Sequence, residues 1–259
     1  MLYNMMWNYW LKRSIPSHAY SKFQHFEFVE VTKARKQVAP TLANAIYRYH
    51  SKTRNDEQTI LRELRFWRTA LVLQGDQRPH DVRTRRGNFA EILACEFARE
   101  MLGYEIPVYR LHFNPNIEQS MKGDDILGFK FKGDVDSAYG VIVGEAKYRS
   151  SFDSSAVQEA YDALNRGNRP YPMSMDFTAT VLRHEGNGRK AEQVEQIKKL
   201  LSTGASAMSV ASLIVLVTEG RPKDPFGYIE GLPGDVDELT TVSICLGVLL
   251  AFFPNSWYS

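Results

Sequence analysis

The stretch Lys122-Gly123-Asp124-Asp125-Ile126, followed further along by Gly144-Glu145-Ala146-Lys147, has the clearest chemical content in the chain. Side chains alternate along a strand, so Glu145 and Lys147 are expected on one face and Gly144 and Ala146 on the other. A hairpin through the polar Lys132 to Ser137 turn would return Asp125, at the start of its own strand, to the neighbourhood of Glu145. Two converging carboxylates beside an ammonium suit a hard divalent cation. Mg²⁺, or Mn²⁺ in its place, takes oxygen ligands, retains waters and completes its shell with substrate phosphate oxygens. Such an ion polarises a phosphoryl group and lowers the pKa of a bound water. Lys147 could then position that water or neutralise the pentacoordinate transition state.

The competing reading is a surface salt bridge. A D/E-x-K triplet arises by chance roughly once in a chain of this size, and Glu145-Ala146-Lys147 is the one present. Its placement favours a site. It closes the apolar Val141-Ile142-Val143, where solvated charge is out of place, and it follows a Gly-Asp-Asp that opens the preceding strand.

The elements that must hold these residues follow from periodicity. Ile126 to Phe131 and Val141 to Tyr148 alternate as strands, Phe26 to Val31 is a shorter one, and Tyr104 to Phe113, Asp176 to Leu182 and Leu213 to Val217 are strand-like. Helical spacing predicts helices at Thr41 to Tyr49, Asn55 to Leu73, Ala156 to Leu164 and Lys190 to Leu201. Asn88 reads as the cap of a helix carrying Ile92, Leu93, Phe97 and Leu102, which Gly103 ends. The order helix, strand, strand, strand, helix, strand predicts a mixed α/β domain over 81–259. A mainly helical region with a short strand precedes it over 1–80.

Composition sets the frame. With 44% apolar and 12% aromatic residues, the 259-residue chain is neither disordered nor collagen-like. Cys95 and Cys245 cannot build a disulfide framework and neither lies in a CxxC, which points to a reducing, cytoplasmic setting. Lys12 and Arg13 follow the N-terminal apolar stretch instead of preceding it, so no signal peptide is expected. The apolar run Val242 to Phe253 is too short to span a membrane and is expected in the core. No GxSxG, Walker loop or zinc-spaced His/Cys group is present. The net charge of +2 excludes a wholly basic nucleic-acid wrapper. That sum hides a division: residues 1–90 hold 16 Lys+Arg against 7 Asp+Glu, and residues 91–259 hold 16 against 23. A basic N-terminal part therefore adjoins an acidic part whose carboxylates need cations before a phosphate backbone can approach.

Arg83, Arg85 and Arg86 stand immediately ahead of the helix that carries Phe97, where guanidinium groups and free helix N–H donors would meet phosphate; Arg149, just past Lys147, could do the same. A solvated basic turn is the bland alternative.

The element order together with Asp125, Glu145 and Lys147 resembles the PD-(D/E)xK nuclease superfamily over about Arg83 to Val217. The resemblance implies a restriction-endonuclease-like core: helix, three-stranded meander, helix and strand, in a mixed sheet flanked by helices. It also implies that Glu91, in Gly87-Asn88-Phe89-Ala90-Glu91, joins Asp125 and Glu145 at the metal, with Lys147 as the catalytic lysine. The superfamily's Asp usually follows Gly-x and precedes apolar residues, which selects Asp125 over Asp124. More narrowly, Arg86-Gly87-Asn88-Phe89-Ala90-Glu91-Ile92-Leu93, Leu102-Gly103-Tyr104-Glu105-Ile106-Pro107 and the two segments above are similar to the nuclease subunits of Hachiman-type bacterial antiphage systems. Those subunits pair with a superfamily 2 helicase and act on DNA. What this implies is a Mg²⁺-dependent deoxyribonuclease restrained by a helicase partner, with the arginine-bearing Asn55 to Leu73 helix as a candidate partner surface. Some RecB-like nucleases carry Gln-x-x-x-Tyr after the Lys. Here Gln158-Glu159-Ala160-Tyr161 is one residue shorter but stays on one helix face, so Gln158 is a candidate substrate contact. Two rivals stand beside this reading: a non-catalytic nucleic-acid-binding or scaffold subunit of a helicase complex that uses a nuclease-like fold, and a small-molecule phosphodiesterase.

Overall fold

The structure, a computed structural model, describes residues 6–50, 79, 81–114, 116, 123–131, 138–165, 170–204, 208, 210–232 and 238–247. The helix expected at Asn55 to Leu73, the Lys132 to Ser137 turn, Lys122 and the end of the Val242 to Phe253 run lie outside them. Six strands form one sheet in the order β1-β2-β6-β5-β4-β3. They are β1 (Leu11–Ser14), β2 (Gln24–Glu30), β3 (Ile126–Phe131), β4 (Ala138–Arg149), β5 (Val210–Thr218) and β6 (Leu239–Cys245). Strands β2, β6, β5 and β4 are mutually parallel, and β1 and β3 run antiparallel at the two edges. The helices are α1 (Arg35–His50), α2 (Val82–Glu100), α3 (Ser154–Leu164), α4 (Ser174–His184), α5 (Gly188–Ser202) and the short α6 (Gly227–Glu230). This is the mixed α/β architecture expected from the sequence, consistent with a restriction-endonuclease-like core. Among the described residues no helix is long and apolar enough to cross a membrane.

Burial explains the layers. Strand β5 is apolar almost throughout because parallel strands are covered on both faces. Leu213, Val215 and Val217 pack with Ile142, Ala146, Val242, Ile244, Phe26 and Phe28 against α1 and α2. Ile214 and Leu216 on the opposite face meet Ala156, Val157, Ala160 and Tyr161 of α3. Leu127, Phe129 and Val141 meet Met175, Ala179 and Leu182 of α4 and Ala191, Val194 and Ile197 of α5. Each large side chain so buried contributes about 1.5–3 kcal/mol. Helix α2 is buried continuously from Asn88 to Ala98, which takes Glu91 and Glu96 inside with it.

Three expectations are corrected. Asp176 to Leu182 is helical, within α4: its β-branched residues alternate, but Met175, Thr178, Ala179 and Leu182 share one buried face at helical spacing. Tyr104 to Phe113 is not a strand. Only Glu105 pairs, with Phe129, and Arg110–Phe113 is a 3-10 turn. Helix α2 begins at Val82, where the Asp81 side chain accepts the Thr84 amide at 2.7 Å. Asn88 therefore lies well inside the helix, buried, and donates to His50 Nε2 at 3.1 Å. Arg83, Arg85 and Arg86 are on the helix and not ahead of it. The short strand expected at Phe26 to Val31 is β2; with β1, which was not expected, it extends the same sheet, and β6 stands between β2 and β5.

Candidate active site

Strands β3 and β4 pair with Ile126 opposite Gly144, so the next residues outward are Asp125 and Glu145. Gly144 is required here. A Cβ would lie 2.8 Å from Ile126 Cδ1 and 2.9 Å from the Leu213 carbonyl, and only the bare backbone lets β4 sit this close to both neighbours. Glu145 and Lys147 project together as alternation predicts, with Lys147 Nζ 2.9 Å from Glu145 Oε2. Ala146, pointing the other way into the core, donates its amide to Asp125 Oδ2 at 2.9 Å. The two adjacent aspartates thereby part company. Asp125 faces β4, whereas the Asp124 carboxylate accepts from Ser174 Oγ at the start of α4 and its carbonyl accepts from Arg110.

Glu91 approaches from α2 and is 8% exposed. Burial, then the Asp125 charge, pushes its carboxyl up to about 8 against the opposing pull of Arg110. Burial and Asp125 also push Glu145 up to about 7, with Lys147 pulling down. Asp125 is raised by burial, which outweighs the Ala146 amide, Arg110 and Lys147. The site is thus a crowd of acids short of positive charge. A narrow cavity beside it is lined by Glu91, Asp125, Arg110, Cys95, Tyr49 and Phe177, among others.

The donors fit a divalent ion in a particular way. Among the described residues no three His, Cys, Asp or Glu side chains are gathered closely enough to form an all-protein cage. Mg²⁺ rarely needs one, since one or two carboxylates plus waters and phosphate oxygens complete its shell.

The structure brings Glu91, Asp125, Glu145 and Lys147 into mutual range, and it engages most of the expected phosphate contacts elsewhere. Arg85 Nε donates to the Pro79 carbonyl at 2.5 Å. Arg86 lies 3.3 Å from Glu219 and stacks over the Tyr148 ring, whose hydroxyl also donates to Glu219. Arg149 pairs with Glu159 at 3.1 Å. Arg83 is exposed, as is Gln158, while Tyr161 one turn on is buried in the α3 core. Arg110 and Ser174 were not among the residues singled out from the sequence. The available signal for Arg110 was a lone charge in Tyr109-Arg110-Leu111-His112-Phe113, the same anomaly that marks Glu145.

Fold and site together define an α/β protein with a restriction-endonuclease-like core and an acid-lysine constellation at the β3–β4 edge. The HamA family model matches residues 7–224, and the chain belongs to that family. It is 31% identical over 189 residues to Hachiman protein HamA of Bacillus cereus, an alignment covering 71% of this chain and 66% of the relative. The chain therefore spans slightly less than two thirds of that relative's length.

Proposed function

We propose that this chain is a metal-dependent deoxyribonuclease that hydrolyses phosphodiester bonds, serving as the effector of a bacterial antiphage complex and held in check by a superfamily 2 helicase. The observation that carries the reading is the convergence of Asp125 and Glu145 across the end of the β3–β4 pair, with Lys147 paired to Glu145 two residues further along β4 and Glu91 behind them. Asp125 and Glu145 are the residues to hold Mg²⁺, with Glu91 assisting; the bound ion would supply positive charge at the phosphoryl oxygens and acidify a water. Lys147, tethered to Glu145, is set to donate to the attacking water or to a non-bridging oxygen as negative charge develops. Glu91, buried on α2 beside Asp125, adds to the negative charge that the ion would balance. Exposed Arg83 stays available to phosphate. Restraint by a partner follows from the chemistry, because an unspecific nuclease injures the cell that makes it.

The test is plasmid cleavage with Mg²⁺ by the purified chain, alone and with its helicase partner. Glu145→Ala and Lys147→Ala should each abolish it, and full cleavage by both variants would sink the reading. The engagement of Lys147 by Glu145 and of Asp125 by the Ala146 amide within the chain favours a second reading, a scaffold subunit on a nuclease-like fold. Calorimetry of the complex separates the two: a Mg²⁺ or Mn²⁺ site supports the nuclease, and none supports the scaffold.

A further inference from the structure

Arg110 is a cation within the site that the acid-lysine pattern does not account for. Its side chain is 9% exposed and reaches two consecutive residues. One terminal nitrogen donates to the Asp124 carbonyl, and the other lies 3.7 Å from Asp125 Oδ1. Asp125 Oδ2 is already taken by the Ala146 amide at 2.9 Å. Each oxygen of Asp125 thus has one keeper, β4 on one side and Arg110 on the other. The backbone passes close to the guanidinium at Gly123, whose φ is +113° and where a Cβ would come within 3.5 Å of it. The turn that carries Arg110 is itself fixed, through buried Leu111, the His112 ring bonded to the Arg48 carbonyl, and the Glu105–Phe129 bridge upstream. A guanidinium on so firm a support can fix what it touches.

We propose that Arg110 is the positioning residue for Asp125: its fork grips the Asp124 carbonyl and thereby sets the direction in which Asp125 Oδ1 faces the metal and phosphate. This deepens the nuclease reading and rests on it. The planar fork matters as much as the charge, because a lysine ammonium is a point donor on a flexible stem and cannot hold two acceptors at fixed spacing.

The test begins in metal-free protein, where amide hydrogen exchange at Ala146 reports directly on whether Asp125 is held. Arg110→Met and Arg110→Lys should each speed exchange at Ala146 about tenfold while leaving Val215 and Val242 unchanged. Mn²⁺ affinity, measured by titration calorimetry, should fall about tenfold in both. Arg110→Lys alone carries the test if Arg110→Met does not fold. Exchange at Ala146 unchanged in Arg110→Lys would overturn the proposal, as would acceleration spread evenly over β5 and β6, which marks a general prop of the fold. A wild-type chain that binds no Mn²⁺ sinks the nuclease reading instead, and the Ala146 exchange still decides whether Arg110 positions Asp125.

Discussion

Lys147 Nζ lies 2.9 Å from Glu145 Oε2, so the lysine at the centre of the site neutralises an acid two residues away on its own strand. The pair is partly exposed, and breaking it costs the fold about 0–1 kcal/mol. Removing the ammonium from a developing transition-state charge costs far more, about 10²–10³-fold in rate. Lys147→Met should therefore lose cleavage by that factor while melting within a few degrees of wild type. A parallel loss of melting temperature would assign the lysine to structure.

Proton and metal should compete at this site. Glu145, pushed up to about 7, and Glu91, pushed up to about 8, face Asp124, Asp125, Arg110 and Lys147. A carboxyl raised above its unfolded value of about 4.3 binds more protons folded than unfolded, so its contribution to stability declines as pH rises between the two values. Glu91→Gln should remove part of that decline between pH 5 and pH 8 in EDTA. Mg²⁺ should raise the melting temperature of the wild type more at pH 8 than at pH 6, and an equal rise at both would contradict this.

Glu30 should behave in the opposite sense. Burial pushes its carboxyl up, but donors from Arg35, Trp10 and Gly247 outweigh that and hold it below the usual range. Its stabilisation is present above the unfolded pKa and is lost as pH falls through the folded one. Glu30→Gln removes the carboxylate that Arg35 pairs with at 2.6 Å and should cost about 1–3 kcal/mol at pH 7. The cost should shrink sharply at pH 3. Urea unfolding at the two pH values checks it.

Gly144→Ala places a methyl 2.9 Å from the Leu213 carbonyl, so strand β4 must move. The expected cost is about 1–3 kcal/mol. Cleavage should fall as well, because the displaced residues carry Glu145. A variant with wild-type melting and cleavage would show that β4 accommodates the methyl.

Two arginines of the same helix should separate in DNA binding. Arg83 is exposed, and Arg83→Ala should lower the salt slope of affinity by about 0.9. Arg86 is held by Glu219 and Tyr148, so Arg86→Met should lower stability and leave the slope unchanged. A smaller slope for Arg86→Met would place that guanidinium on phosphate.

Legibility followed the range of the forces involved. Strand β3 is bounded as alternation predicts, at Ile126 and Phe131, because one face meets α2 and the other meets α4. The Glu145/Lys147 face is a local property of one strand and was equally readable. Helix α4 was not, since the β-branched Thr178, Thr180 and Val181 mimic a strand and only packing against β3 and α5 selects the helix. The start of α2 was hidden because Arg83, Arg85 and Arg86 make its first turns look like a loop, while the real cap, Asp81, precedes them. Arg110 was legible only as a charge out of place, because its partners, Asp124 and Asp125, lie beyond any helical or strand spacing from it.

The pairing of β2 with β6 also sets a clock. His25 and Thr241 are 216 residues apart and hydrogen-bonded in neighbouring parallel strands. A ribosome needs roughly 10–40 s to cover that distance at ordinary elongation rates. Throughout that interval Phe26 and Phe28 have emerged without the strand that later flanks them. β3, β4 and β5 can meanwhile pair among themselves, so the acids and the lysine can gather on the nascent chain before the sheet has its full width.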